Sequence, residues 1–393
     1  MTRSGATAAP SLRLAVYCDF SYRVTDGAAY AELPFSLFVE GLAPHCERLV
    51  VLGRLDPTPG QFPFKLRTAE FVGLPYYGSG ADLAAVLRAV PAAARRFWRV
   101  LDDLDVVWIL GPNPPQALLF ALLGLLRRKK VVLGVRQNLP ELIRHRRPGS
   151  HGVLAAAYLL EWAFRATARL VPVVVVGPDL ARRYRGARSV LNLYVSLLRA
   201  TDLAAGDGEA RSYDGDTLVM LSVGRLDPEK NPLLLADVLC RVVRQDPRWR
   251  LEVCGDGPLA GALAERAEQL GVADRFVNLG YVPIDAGLWD RYRAAHVLVH
   301  VSLTEGVPQV ILEAFAARLP VVATDVGGVA DVVADRGLLV PPSDPDAMAG
   351  AVARLIADPA LRDRLVEAAG RAAADHTMEA ECARLAGFLS MNS

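Results

Sequence analysis

Residues 302–324 of this 393-residue chain read SLTEGVPQVILEAFAARLPVVAT. The pattern predicts the end of a strand, a loop, a helix that begins at Pro308, and a further strand over Pro320–Thr324. Proline is favoured in the first helical turn because the N–H that it lacks has no helical partner there. The amides from Gly306 to Gln309 then lie at the positive end of a helix, where they can bind an anion.

The same alternation of short β-branched runs and amphipathic stretches extends through both halves of the chain. Candidate strands lie at Leu12–Cys18, Arg48–Leu55, Val106–Leu110, Lys130–Val135, Leu170–Val176, Thr217–Val223, Arg250–Cys254, Phe276–Leu279, Val297–Val301, Pro320–Thr324 and Leu338–Val340. Candidate helices between them include Pro232–Gln245, Pro258–Leu270 and Val310–Ala317. Strands and helices at this spacing predict parallel α/β sheets with helices on both faces.

A polar, glycine-rich stretch without periodicity, Ala200–Asp216, is typical of a linker between domains. We therefore predict two doubly wound, Rossmann-like domains that face each other across a cleft. The N-terminal domain spans residues 1–199, the linker 200–216 and the C-terminal domain 217–375. A last helix over 376–393 either stays with the second domain or crosses back to the first.

The charge of the chain is divided unevenly between its halves. The net charge is +1, but residues 1–200 contain 26 basic and 14 acidic groups (+12), and residues 201–393 contain 18 and 29 (−11). Oppositely charged halves should attract each other and meet different partners. The five cysteines are scattered, and the first ten residues, MTRSGATAAP, lack the apolar core of a secretion signal. No apolar run approaches the roughly 18 residues that a membrane span requires. Together these features predict a cytoplasmic chain with reduced thiols.

Glu305 and Glu313 flank the start of the helix in the opening stretch. A carboxylate can accept hydrogen bonds from two neighbouring hydroxyls, which is how proteins bind sugar diols, and each charge-assisted bond contributes roughly 1.5–3 kcal/mol. Paired glutamates are also common on exposed helices. By itself the glutamate pair is therefore compatible with a sugar-binding site and with an ordinary exposed helix surface.

A second block, SVGRLDPEKN over residues 222–231, follows a predicted strand and precedes a predicted helix, with Asn231 as its expected N-cap. Arg225 and Lys230 would then lie in a loop at the carboxyl end of a strand, where they can neutralise a diphosphate. The alternative to a diphosphate site is that Arg225 and Lys230 are solvated charges on a surface turn.

With Glu305-Gly306-Val307-Pro308, Glu313-Ala314-Phe315-Ala316 and Leu319-Pro320-Val321-Val322-Ala323-Thr324, the chain resembles the retaining GT-B glycosyltransferases of family 4, the glycosyl transferases group 1 type. Arg318-Leu319 departs from the small glycine that usually precedes this proline. The resemblance also includes Gly337-Leu338-Leu339-Val340-Pro341-Pro342 and covers roughly residues 217–356.

The resemblance implies a GT-B fold and a donor site in the second domain. It implies catalytic roles for Glu305, Arg225 and Lys230, with the two cations on the donor's diphosphate, and a ribose-binding role for Glu313. Further donor contacts are implied for Gly224, Gly255, Tyr281, Val282, Gly306, Val307 and Pro308. The family works without a bound metal, so we expect neither a metal nor another cofactor.

Gly255-Asp256-Gly257-Pro258-Leu259-Ala260 also matches the dinucleotide fingerprint G-x-G-x-x-A. Pro258 removes a backbone donor that a pyrophosphate would need, and no suitable acid ends the next strand. The resembling family has a structural G-D-G-P turn at this position, and we prefer that interpretation.

The first domain matches the family poorly. The family's glycine pair after the first strand is reduced to Gly27, so Gly27 and the preceding Asp26 are candidate residues for the first-domain half of the site. The family's mid-domain histidine is absent. The nearest stretch contains Arg136 and Asn138, which either complete the active site or are structural loop residues.

The basic groups of the first domain concentrate at Arg127–Lys130, Arg144–Arg147 and Arg182–Arg188. The first cluster ends the apolar helix Gln116–Leu126. This pairing fits peripheral contact with an anionic membrane at its inner face or recognition of a phosphate-bearing acceptor. It equally fits a buried helix with cations at its carboxyl end. Nucleic acid is not expected, because no basic face with interleaved aromatic residues accompanies the charge.

The leading hypothesis is a transferase that moves a sugar from a nucleotide-diphosphate sugar, such as a UDP or GDP sugar, to an acceptor hydroxyl with retention of anomeric configuration. The acceptor would be a glycan, a lipid-linked compound or a small molecule. The alternatives are a nucleotide-sugar epimerase or hydrolase on the same fold, and a catalytically silent binding protein.

Overall fold

Two sheets, one in each half of the chain, form the framework of the molecule. The computed structural model describes residues 12–78, 82–112, 116–146, 149–204 and 211–391. The strands of the first sheet are β1 (Leu12–Thr25), β2 (Ala28–Ala31), β3 (Cys46–Leu55), β4 (Phe64–Lys65), β5 (Glu70–Leu74), β6 (Val106–Gly111), β7 (Lys130–Val135), β8 (Val173–Val176) and β9 (Val190–Leu193). Those of the second are β10 (Leu218–Val223), β11 (Trp249–Cys254), β12 (Phe276–Asn278), β13 (Val297–His300), β14 (Val321–Thr324) and β15 (Leu338–Val340).

The helices fill the crossovers between these strands. In the first half they are α1 (Phe35–Glu40), α2 (Leu83–Val100), α3 (Gln116–Leu126), α4 (Leu139–Arg146), α5 (His151–Ala168), α6 (Pro178–Arg183) and α7 (Ala200–Ala204). In the second half they are α8 (Leu233–Gln245), α9 (Ala260–Gln269), α10 (Trp289–Ala294), α11 (Gln309–Ala316), α12 (Val329–Val333), α13 (Pro345–Ala357), α14 (Pro359–Asp375) and α15 (Met378–Met391). Among the helices described, none is long and apolar enough to cross a bilayer.

The core of each sheet is parallel. In the first sheet the parallel order is β5-β3-β1-β6-β7-β8-β9, and β2 and β4 extend the far end of β1 as an antiparallel hairpin. In the second sheet the order is β12-β11-β10-β13-β14-β15. The strand order reverses beside β1 in the first sheet and between β10 and β13 in the second, and ligands bind at such points in doubly wound folds. The predicted fold class is therefore confirmed.

The last helix packs on the first domain. Cys382, Leu385 and Leu389 of α15 are buried in the same cluster as Phe35 and Phe38 of α1. In contrast, α14 packs its buried residues into the two clusters of the second domain. The chain therefore returns to the first domain between α14 and α15.

A buried carboxylate fixes this return. Glu381 is fully buried, accepts two bonds of 2.8 Å from Arg384 Nη1, and lies 2.6 Å from His376 Nδ1. The ring of His376 stacks on Tyr194 with centroids 4.0 Å apart, and Met378 N donates to Leu198 O at 2.6 Å. The two passages between the domains thus lie side by side.

The predicted linker is more ordered than its composition suggests. Residues 200–204 form α7, and residues 205–210 lie outside the described residues. Arg211 donates to four carbonyl oxygens of the second domain, including those of Ala295 at 2.7 Å and Ala317 at 2.9 Å. The guanidinium therefore binds the end of this segment to the C-terminal domain.

The eleven predicted strands are all present, with ends shifted by up to a few residues. The largest difference is β1, which continues past Cys18 to Thr25 because its second half pairs with β2. The amino-acid pattern gave no signal for β2, β4, β5 and β9, which are all short. Of these, β4, β5 and β9 lie at edges of the sheet, where one-sided pairing leaves a weaker apolar pattern.

We expect Leu385→Ala to lower the free energy of unfolding by about 2–5 kcal/mol, because it empties a fully buried site in the first domain's core. Gly387→Ala in the same helix is the matched control. Its new Cβ meets nothing within 4 Å, so it should stabilise by up to about 1 kcal/mol. Urea unfolding of both variants measures this, and equal effects would show that α15 is not part of the core.

Candidate active site

A cleft of about 700 Å³ lies between the carboxyl ends of the two sheets. In the first domain its walls come from the middle of β1, the end of β3, the start of α1, the carboxyl ends of β6 and β8, and the loops after β6 and β7. In the second domain they come from the loops after β10 and β13. The second domain contributes the loop over 222–226 and the loop over 300–310, which follow the two strands at the reversal point. The topology thus brings the two predicted motifs to one crevice.

Glu305 is the centre of the polar contacts in this crevice. Its carboxylate pairs with the ammonium of Lys230, accepts a bond of 3.0 Å from Ser302 Oγ, and lies 3.5 Å from His300 Nε2. Burial opposes the negative charge, but Lys230 and then His300 outweigh it and lower the pKa of Glu305 to about 2. Glu305 is therefore an ionised carboxylate across the neutral range.

Lys230 and Arg225 lie on the loop between β10 and α8, and both line the cleft. Arg225 pairs with Asp227 and donates to Glu229 Oε1 at 3.2 Å, and its side chain is half exposed. Asn231 does not cap α8. It has a left-handed backbone (φ 52°) at the end of a 3₁₀ turn, and Pro232 is the N-cap. This turn directs the loop back toward β13.

Close backbone packing fixes the position of Glu305. A Cβ on Gly328 would lie 1.8 Å from Gly306 O, and one on Gly327 would lie 2.3 Å from Glu305 O. Gly328 N also donates to Glu305 O at 3.1 Å. The Gly327-Gly328 pair after β14 therefore lets two loops touch through their main chains. The loop after β13 cannot move away from β14 without losing this contact.

The same loop touches the first domain. A Cβ on Gly306 would lie 3.0 Å from Arg136 O, and Val307 Cγ2 would lie 2.9 Å from a Cβ on Gly177. Arg182 of α6 and Asp331 of α12 form a two-bond ion pair at 3.0 and 3.2 Å across the cleft. Opposite charges thus meet between the domains, as the charge division predicts.

Glu313 lies beneath the cleft. It is 6% exposed, and Oε2 accepts a bond of 2.7 Å from Tyr292 OH. Burial raises the pKa of Glu313 to about 7, and this hydrogen bond offsets the rise only in part. Tyr292 also lies close enough to Cys254, the residue before Gly255, for their side chains to interact electrostatically. Glu313 is therefore separated from the loop after β11 by the side chain of Tyr292.

The remaining predicted donor residues divide into two groups. Gly224, Gly306, Val307 and Pro308 line the cleft with the catalytic candidates. Gly255, Tyr281 and Val282 lie outside its lining. Gly255 packs directly on the loop after β10, since a Cβ there would be 1.9 Å from Gly224 O. Tyr281 is 62% exposed on the adjacent surface.

The expectation for Asp26 and Gly27 is corrected by the structure. The two residues form the turn between β1 and β2, with φ of 52° and 74°, and they do not line the cleft. The reason is that β1 continues to Thr25, so the turn lies well beyond the carboxyl ends of its parallel neighbours.

Arg136 and Asn138 both lie close to the loop after β13. Arg136 lines the cleft, and its guanidinium carbon lies 4.1 Å from the ring centroid of Phe35. Burial lowers the pKa of Arg136 to about 10, so it stays charged at neutral pH. Asn138 lines a small adjoining cavity and donates to Glu141 at 2.8 Å.

A buried polar cluster on the first-domain side was missed by the sequence analysis. Asp19 Oδ1 accepts bonds from Tyr77 OH at 2.5 Å, Tyr17 OH at 3.2 Å and Gln116 Nε2 at 3.3 Å. Arg54 Nε lies 3.4 Å from the same oxygen. Burial raises the pKa of Asp19. Asp19 and Arg54 both line the cleft.

His300 and Ser302, on the opposite wall of the cleft, were missed as well. A histidine within a strand gives no sequence signal, because its role depends on the loop that follows.

We expect Gly328→Ala to lower the free energy of unfolding by about 1–3 kcal/mol and to displace the loop of Glu305, because the methyl group overlaps Gly306 O. Gly350→Ala in α13 is the control, since its Cβ meets nothing within 4 Å and it should stabilise slightly. Urea unfolding compares them, and an unchanged Gly328→Ala would contradict the close packing.

Comparison with known proteins finds similarity over part of the chain. Residues 209–372 match the family model described as "Glycosyl transferases group 1". The D-inositol 3-phosphate glycosyltransferase of Kribbella flavida is 41% identical over 174 residues, which are 41% of this chain and 39% of that protein. The alpha-D-kanosaminyltransferase of Streptomyces kanamyceticus is 29% identical over 58% of this chain and 63% of its own length. The matches thus span less than two thirds of these relatives.

Solved structures agree over nearly the whole chain. Sucrose-phosphate synthase from Thermosynechococcus elongatus has a TM-score of 0.72 at 19% identity, covering 97% of this chain and 99% of that one. HepE of Anabaena in complex with UDP has a TM-score of 0.66 at 18% identity, covering 97% and 100%. At this identity the likeness establishes the fold, which is GT-B. The chain thus has the GT-B fold, and its residues 209–372 match the model of the glycosyl transferases group 1 family.

Proposed function

We propose that the protein is a glycosyltransferase that moves a sugar from a nucleotide-diphosphate sugar to an acceptor hydroxyl, with retention of anomeric configuration and without a bound metal. The observation that supports this most directly is the convergence of Arg225, Lys230 and Glu305 at the reversal point of the second sheet, on the cleft between the domains. The family match covers the segment that contains all three residues.

The second domain offers groups of the right charge for such a donor. Lys230 and Arg225 would bind the diphosphate, assisted by the amides that precede α11. During transfer the bond between the sugar's C1 and a phosphate oxygen breaks, a bond from C1 to the acceptor oxygen forms, and the proton of the acceptor hydroxyl passes to the departing phosphate oxygen. The departing diphosphate gains negative charge, which the two cations stabilise. Glu305 and His300 would contact hydroxyls of the sugar.

Glu313 would accept hydrogen bonds from the ribose. Its position beside Tyr292 and close to the loop after β11 agrees with a nucleoside that lies along Gly255, Tyr281 and Val282. Because Glu313 is buried and uncharged for part of the neutral range, nucleoside binding has to supply the partners that stabilise its charge.

The first domain would bind the acceptor. Much of its share of the cleft is apolar and includes Phe20, Phe35 and Leu142, with Asp19, Arg54 and Arg136 as charged groups among them. All hydrogen bonds to the Asp19 carboxylate within the described residues go to Oδ1. Oδ2 is therefore available to position an acceptor hydroxyl. We infer an acceptor with an apolar body, whether a lipid-linked compound, a glycan carrier or a small molecule.

Thermal melting with UDP, GDP, dTDP and ADP tests the donor site. We expect one nucleotide to raise the melting temperature by about 5 °C at about 100 times its dissociation constant. Glu313→Ala and Arg225→Ala should reduce that rise, because each removes a charge-assisted bond. Glu265→Ala on the exposed side of α9 is the matched control and should keep the full rise. No rise with any nucleotide would contradict the donor site.

Turnover then separates transfer from the other reactions possible on this fold. With the nucleotide sugar identified by melting, a transferase releases the nucleotide faster when the acceptor is present. An epimerase changes the donor sugar without any acceptor, a hydrolase releases it to water, and a silent binding protein shows binding without turnover. Any of these three results would contradict the proposal.

The affinity for the nucleotide sugar should rise as the pH increases through about 7, the pKa of Glu313. Only the ionised carboxylate accepts from both ribose hydroxyls, so about one pH unit below the pKa the affinity should be roughly tenfold lower. Both phosphates of a nucleotide sugar are esterified and do not titrate in this range.

Calorimetric titrations between pH 6 and pH 8 measure this dependence. Glu313→Gln is the control, because an amide does not ionise and should flatten the profile. A wild-type profile that is already flat, or one that persists in Glu313→Gln, would contradict the ribose role of Glu313.

A further inference from the structure

The outer surface of α3 and α5 holds an unusual concentration of apolar side chains. Fifteen large apolar side chains are exposed in the part of the chain that the structure describes, and eight of them are on or next to these two helices. We call these eight the α3–α5 face: Leu122, Leu125, Leu126, Val153, Tyr158, Leu159, Trp162 and Leu170.

The two helices cover the same side of the first sheet. Phe120 of α3 and Phe164 of α5 belong to one core cluster, together with Phe97 of α2. Their buried sides therefore point to the same core. The apolar residues of the α3–α5 face are on the opposite, solvent side of this layer.

The composition of α3 is not explained by the core alone. Its core contacts come from Ala117, Phe120 and Ala121, with Leu118 and Leu123 half-buried against the same cluster. All eleven residues of the helix nevertheless lack a charge. Leu122 and Leu126, one turn apart, are 53% and 63% exposed. A helix that is apolar on all sides is normally buried on all sides. Its outer side is therefore expected to have an apolar environment of its own.

The exposed side of α5 has the same character. Leu159 and Trp162, three residues apart, are 65% and 66% exposed, and Tyr158 is 48% exposed. Glu161, the acidic residue of this helix, is buried, whereas Arg165 is exposed. Tryptophan and tyrosine are the aromatic residues that accumulate at membrane interfaces.

Cations lie at the carboxyl ends of both helices. Arg128 follows α3 and Arg169 follows α5, and both are exposed. Lys129 and Lys130 are half-buried beside Arg128. Of the acidic residues nearby, Asp102 is paired with Arg127 at 2.8 Å. The local charge at this end of the face is thus positive.

We propose that the α3–α5 face is a membrane-docking surface that binds the interface of a bilayer containing anionic lipid. Apolar contact and electrostatic attraction together give stable peripheral binding where either alone is weak. A second copy of the chain fits less well, since a two-fold contact through this face would bring the same cations together. The inference does not depend on the proposed function.

Vesicle co-sedimentation of the full chain tests this surface. The probes are vesicles of phosphatidylcholine alone and of phosphatidylcholine mixed with phosphatidylglycerol. We expect binding to the mixed vesicles that weakens with salt, and much less binding to the neutral ones. Leu159→Ser with Trp162→Ser should reduce the partition coefficient at least about tenfold. The double change Arg128→Glu and Arg169→Glu should reduce the partition coefficient for anionic vesicles and leave that for neutral vesicles unchanged.

Matched controls lie in the second domain. Val277→Ser replaces a similarly exposed apolar residue, and Arg364→Glu reverses an exposed charge. Neither should change vesicle binding, and all variants should keep the wild-type melting temperature and nucleotide response. Failure to bind any vesicle, equal binding by all variants, or a stable dimer abolished by the Leu159 and Trp162 changes would each overturn the proposal.

Fluorescence quenching by brominated lipid locates the contact. Bound wild type should lose tryptophan emission to bromine in the acyl chains, and Trp162→Phe should remove most of that loss. Trp289→Phe in the second domain should not. Quenching that persists in Trp162→Phe would place the contact elsewhere and contradict the assignment of this face.

Discussion

The ion pair between the buried Glu305 carboxylate and Lys230 is the interaction on which the architecture of the candidate site depends. A buried charge is costly unless a partner and hydrogen bonds compensate it, and here Lys230 and Ser302 do so. The pair joins the loop after β10 to the loop after β13, so it closes the gap where the sheet order reverses. A phosphate that approaches Lys230 therefore enters a site whose charges are already paired and oriented.

Glycine determines how closely these loops can approach. The contacts of Gly255 with Gly224 and of Gly328 with Gly306 leave no space for any side chain. Four loops at the carboxyl ends of β10, β11, β13 and β14 therefore form one layer of touching main chains. Strand geometry sets the direction of each loop, and the absence of side chains sets the distance between them.

The sequence was sufficient for the fold and for the convergence of Arg225, Lys230 and Glu305 on the cleft, because strand periodicity and local motifs place these residues after particular strands. It failed where the outcome depended on pairing partners. Asp26 and Gly27 were assigned to a ligand loop because the pairing of β1 with β2 is not visible in the pattern of β1 alone. Asp19 and His300 were missed because their surroundings come from residues distant in the chain: Tyr77 and Gln116 for Asp19, and the loop after β13 for His300.

The return of α15 to the first domain has a mechanical consequence. The chain passes between the domains twice, and the two passages are joined by the Met378–Leu198 hydrogen bond and the stacked rings of Tyr194 and His376. A single tether would let one domain swivel freely about it. Two tethers bound to each other resist that torsion, so the covalent connection favours bending at one pivot over twisting. The width of the cleft is then governed mainly by a single degree of freedom.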